Sequence, residues 1–196
     1  MSTLTAICLF LTDTVFKALL FFLWMRVICY FFQVSIYQVS YQSIIHFSTP
    51  VIRPLILFFK NKKIYSKKYD YASLTGIVLL QMLQLIILWL LAYNTMPQIT
   101  MLLLSTLIHC SLIPLNIFFY AILIQIIINF LQPNWRHAIL ELIALITYPI
   151  LLYVRTRIKD IFPTIKLQPD YTPFILLLLI QCVSLTLEWY ISTQPH

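Results

Sequence analysis

The chain has 196 residues, 61% of them apolar and 10% charged, with a mean hydropathy of +0.91 and a net charge of +7. A soluble domain carries about 25% charged residues to solvate its surface. This composition excludes a water-facing surface over most of the molecule and makes lipid the solvent.

In chain order, the first apolar run is Leu4 to Phe32. It has no positive n-region and no small-residue cleavage site, and Asp13 and Lys17 interrupt it. It therefore reads as a retained transmembrane helix and not a signal peptide. Residues 33–70 follow as a basic loop that holds Arg53, Lys60, Lys62, Lys63, Lys67 and Lys68. Inside it, Val51 to Phe59 is almost wholly apolar, so it either lies at the interface or re-enters the bilayer. A second span covers 71–93, and the short turn Asn94 to Gln98 leads to a third over 99–131. Each run reaches the roughly 20 residues that cross the hydrocarbon core. The third would be about 50 Å long. Pro114 leaves its first piece too short to cross alone, so the spacing predicts one tilted or kinked helix. A second basic loop, 132–170, carries Arg136, Arg155, Arg157, Lys159 and Lys166. Within it, Val154, Ile158, Ile161 and Phe162 share one helical face, while Arg155, Lys159 and Asp160 lie away from it. That pattern predicts a short basic helix, Ile150 to Phe162, lying among lipid headgroups. The fourth span is 171–191.

Charge sets the orientation. Apart from Lys17 and Arg26, every Lys and Arg lies in one of the two basic loops. With four spans both loops share one side, and the positive-inside rule makes that side cytoplasmic. Both termini are then expected on the periplasmic side, where Trp89 and Trp189 suit an aromatic belt.

The chain also repeats itself. At an offset of 100, Asp70 meets Asp170, Tyr71 meets Tyr171, Gln81 meets Gln181 and Trp89 meets Trp189. At an offset of 99, Pro50 meets Pro149 and Ser48 meets Thr147. Each half, 1–97 and 98–196, reads as helix, cytoplasmic loop, helix. Two spans per half insert both halves the same way up, which makes a parallel repeat. The expected fold is thus an all-α membrane protein of four transmembrane helices in two parallel helix–loop–helix repeats. Each loop is expected to hold short interfacial or re-entrant helical segments.

On these segments the chain resembles the YggT family of bacterial and plastid membrane proteins. In the first half the resemblance rests on "STPVIRPLILFF", with Pro50, Arg53 and Pro54, and on "YDYASLTGIVLLQ", opened by Asp70. In the second it rests on "ITYPILLYVRTRIKDIFP", with Pro149, Arg155 and Arg157, and on "PDYTPFILLLLIQ", with Asp170. It covers nearly the whole chain in order and spacing. The family's glycines before the Asp are absent in both halves, and Gly76 is the only glycine in the chain. The paired Arg after the second Pro is replaced by Ile56 and Leu57, and the second-half counterpart of that Pro is Tyr153. The resemblance implies a non-enzymatic protein of the bacterial inner membrane. Its relatives are associated with envelope organisation, division, stress tolerance or assembly of membrane complexes.

Few residues are candidates for chemistry. Asp13 and Lys17 lie one turn apart inside the first span, either as a functional intramembrane pair or as a self-neutralised one. Asp70 and Asp170 are placed to cap the helices that follow them. Polar stripes run along three helices: Gln81 with Gln84, Gln181 with Ser184 and Glu188, and Ser105 with His109 and Asn116. They are expected to turn inward for interhelical hydrogen bonds, or else to line a hydrated path. Cys8, Cys29, Cys110 and Cys182 read as core residues, and the four His have no metal-ligand spacing. No cofactor and no nucleic acid is expected. The expected partners are anionic lipid headgroups, met by Lys60, Lys62, Lys63, Lys67 and Lys68, and other membrane, division or assembly proteins. A small channel or transporter for ions or osmolytes is the competing expectation.

Overall fold

The computed structural model describes residues 3–34, 39–61, 70–93, 98–131, 138–161 and 171–193. These residues form six helices and no strand: α1 (Thr3–Phe31), α2 (Val39–Asn61), α3 (Tyr71–Tyr93), α4 (Ile99–Leu131), α5 (Ala138–Ile161) and α6 (Thr172–Ser192). Thr5–Phe31 of α1, all of α3 and α4, Ile139–Arg157 of α5 and Thr172–Ile191 of α6 are long and apolar enough to cross a membrane, five candidates among the described residues. Hydrocarbon-like side chains cover their outer faces, among them Phe10, Leu107 and Leu178. In lipid such faces carry no hydrophobic penalty.

Two expectations change. The helical segments of the loops are not short, because α2 and α5 have 23 and 24 residues. Pro50, Pro54 and Pro149 lie inside these helices without ending them. Hydroxyls in the same turns bond back to the main chain: Ser48 and Thr49 donate to the Ile45 carbonyl, and Thr147 donates to that of Ile143. Such back-bonding lets a membrane helix carry proline. The other change is that α5 is itself apolar enough to span, which the reading of Ile150–Phe162 alone did not anticipate.

The described chain packs as two compact units, with the main division at Ile113/Pro114, inside α4. The start of α4 belongs to unit 1 because Cys110 and Ile113 pack against its core of Leu20, Leu23, Ile52, Ala72 and Ile77. The core of unit 2 is Ile122, Leu176 and Ile180, flanked by Phe119, Leu151, Val154 and Leu177. The two cores use matching positions. Leu23 and Ile122, Leu20 and Phe119, Ile52 and Leu151 are pairs at an offset of 99, and Ile77 and Leu177 are one at 100.

Gly76 sits where α1, α2 and α3 come close. A Cβ there would lie 3.3 Å from Leu55 Cδ1 of α2 and 3.4 Å from Leu23 Cδ2 of α1. The second-half counterpart is Leu176, so unit 2 fills the same position with a side chain. Gly76→Ala is expected to leave the melting temperature in detergent nearly unchanged, because the two leucine tips can yield and alanine favours the helix. Gly76→Leu is expected to cost about 1–3 kcal/mol by overpacking, read as a clear fall in the same melt.

Candidate functional site

The strongest polar constellation lies where α1, α2 and α3 meet. Arg26 of α1 donates from Nε to Asp70 Oδ2 at 2.9 Å, and its NH1 group donates to Ser48 Oγ of α2 at 3.3 Å. The Asp70 carboxylate also accepts from the Ser73 amide at 3.1 Å and the Ser73 hydroxyl at 2.6 Å. Asp70 therefore caps α3, as expected, and does more. It is the counterion of a cation 44 residues away. The two side chains are 13% and 9% exposed, and both serines are fully buried. Tyr41 of α2 lies in the same surroundings; burial pushes its phenol up, and the nearby Arg26 charge pulls it the other way.

A second polar group sits further along the same helix pair. Lys17 Nζ contacts Asp13 Oδ2 at 2.6 Å, Gln84 donates to Asp13 Oδ1 at 2.9 Å, and Gln81 donates to Gln84 Oε1 at 3.2 Å. The first-half stripe thus turns inward as expected. Arg26 meets Asp70 near the start of α3, whereas Asp13, thirteen residues earlier on α1, meets Gln84, fourteen residues later, so α1 and α3 run antiparallel. The two groups are about 20 Å apart along the pair at 1.5 Å per residue. Gln81 Oε1 is buried without a hydrogen-bond partner among the described residues, and Lys17 is 67% exposed. His109 of α4 lies within electrostatic reach of Lys17 and Asp13.

Unit 2 repeats the α1–α2 contact without charge. Thr147 of α5 donates to Gln125 Oε1 of α4, and both the separation of 22 and the position match Arg26 and Ser48. The other second-half candidates do not converge. Gln181 and Glu188 are exposed on α6, and buried Ser184 donates only to carbonyls of its own helix, those of Ile180 and Gln181. Asn116 is exposed on α4. Pro50 and Arg53 lie on the exposed side of α2 with Pro54, and Pro149 is partly covered on α5. Arg157 donates to the Tyr153 hydroxyl at 3.2 Å, while Arg155 lines a cleft in unit 2. Lys62, Lys63, Lys67, Lys68, Arg136, Lys166 and Asp170 lie outside the described residues, as does the side chain of Lys60. Among the described residues, no group of three or more His, Cys, Asp or Glu gathers to hold a metal.

Sequence reasoning missed Arg26. Its signal was present: an ionisable residue deep in an apolar helix with no acid three or four positions away needs a partner from another helix. What the assembled groups do chemically is hold helices together. Asp13→Leu is expected to cost about 2–3 kcal/mol by leaving Lys17 without its counterion in lipid. Adding Lys17→Met should restore most of that, as measured by unfolding in mixed micelles.

No protein-family model, no curated protein and no solved structure matches this chain.

Proposed function

We propose that this is a non-enzymatic protein of the bacterial inner membrane, of the YggT type. In this reading it acts through protein or lipid contacts in envelope organisation, cell division, stress tolerance or assembly of membrane complexes. The observation that carries the proposal is the use made of the intramembrane polar groups. Arg26, Asp70, Ser48 and Ser73 are engaged with one another, as are Gln125 and Thr147, so they serve as fasteners between helices. The cations Arg53 and Arg157 lie at the surface, where headgroups or acidic partners can meet them.

In the same reading the chain has four spans in two parallel repeats. The matched bounds of α2 and α5 support this, together with the matched contacts Arg26–Ser48 and Gln125–Thr147. Because α2 is not apolar enough to count as a span, a parallel repeat keeps its counterpart α5 from crossing as well. Both basic segments then face the cytoplasm and both termini the periplasm. A crossing α5 would instead put the termini on opposite sides.

One observation favours transport as a second reading: Gln81 Oε1, buried without a hydrogen-bond partner among the described residues, lies beside Gln84, Asp13 and Lys17. A group of this kind accepts a hydrogen bond from water or a solute.

For topology, Lys63→Cys, in a chain whose native cysteines are replaced, should resist a membrane-impermeant thiol reagent applied from the periplasmic side. Labelling there would overturn the orientation. For function, in-membrane crosslinking with mass spectrometry should recover other membrane proteins or lipids. Recovery of the chain alone, with ion or osmolyte flux in liposomes of the purified protein, would replace the contact reading by transport.

A further inference from the structure

Unit 2 holds a cleft of about 510 Å³ bounded by the end of α4, by α5 and by the first turn of α6. Its wall is mainly apolar and includes Phe130, Leu152 and Phe174. Besides the phenol of Tyr148, three polar side chains line it: Arg155, Asn129 and Thr172. None of the three has a hydrogen-bond or ion-pair partner among the described residues. Thr172, only 4% exposed as a residue, forms the inner wall of the cleft.

Unit 2 places its polar groups differently from unit 1, and Asp170, the counterpart of Asp70, lies outside the described residues. In unit 1 the cation of α1 is neutralised by a carboxylate at the start of α3, with Ser73 completing the set. In unit 2 the position of Arg26 is Gln125, which is taken up by Thr147, and the position of Ser73 is Pro173, which has neither hydroxyl nor amide hydrogen to give. The cation is Arg155, supplied from α5 beside an apolar wall. A ligand that fits must bring negative charge and acceptor oxygens at one end and hydrocarbon at the other. Arginine forms bidentate bonds to phosphate, and these are among the strongest charge-assisted contacts.

We propose that this cleft binds the headgroup of an anionic phospholipid. Arg155 takes the phosphate, Asn129 and Thr172 take the remaining headgroup oxygens, and an acyl chain runs along Phe130, Leu152 and Phe174. The inference rests on the reading that the basic segments contact lipid, and it narrows that contact from a diffuse charged surface to one site.

The test uses the full chain in nanodiscs made from an equal mixture of phosphatidylglycerol and phosphatidylcholine, with retained lipid counted by native mass spectrometry after mild activation. The wild-type chain should retain phosphatidylglycerol selectively. Arg155→Gln should lower that retention about tenfold, the loss of one charge-assisted bonding partner. Arg157→Gln, which removes a surface cation bonded to Tyr153 on the same helix, should lower it far less than Arg155→Gln. Arg155→Lys, which keeps charge but not the fork, should fall between wild type and Arg155→Gln, and near-native chromatography of every variant checks folding. Excess inorganic phosphate should not displace the lipid. Equal losses in Arg155→Gln and Arg157→Gln would overturn the discrete site while leaving the general lipid contact intact. Full retention in Arg155→Gln, or displacement by phosphate alone, would overturn the site as well. If the wild-type chain shows no preference for phosphatidylglycerol, both the site and the lipid-contact reading fall.

Discussion

The ion pair between Arg26 and Asp70 ties together three helices that lipid alone would not hold. Hydrocarbon gives apolar helices no reason to prefer one another over lipid tails, so association has to come from packing and from polar contacts. Here the guanidinium, the carboxylate and two buried hydroxyls close on one another. Removing two charges from water is costly, and the pair repays that only if its geometry is good and its remaining hydrogen-bonding capacity is met. Ser48 and Ser73 meet it, and in doing so they fix where α2 crosses and where α3 begins. The close approach at Gly76 follows from that register, one to two turns further into α3.

The second half keeps the geometry and drops the charge. Gln125 and Thr147 stand at the positions of Arg26 and Ser48 and make the corresponding contact as a neutral pair. A neutral hydrogen bond contributes less when formed and costs less when lost. Unit 2 is thus joined at this point by a weaker version of the same contact. Its cation has moved to α5, into a cleft among apolar side chains.

Much of the helix layout was legible because apolar runs and their lengths report directly on membrane spans. The capping role of Asp70 was legible for a similar reason, since a carboxylate just before an apolar helix meets free amides. Its ion pair was not, because the partner is 44 residues away and nothing local points to it. The lengths of α2 and α5 were obscured by prolines, which end helices in water and are tolerated where hydroxyls and neighbouring helices support the backbone. Sequence repetition also carried position better than environment. Gln81 and Gln181 match in register, yet one is buried against Gln84 and the other is exposed.

The most direct measurement of the Arg26–Asp70 contact is a double-mutant cycle with Arg26→Met, Asp70→Leu and the double variant, read as unfolding free energy in mixed micelles. A pair that holds the helices should make each single change cost about 3–5 kcal/mol, because it strands a buried charge. The double variant should then recover most of that loss, giving a large coupling energy. Single losses of about 0–1 kcal/mol, the value of a solvated surface pair, or losses that simply add in the double variant, would contradict the central place given to this contact.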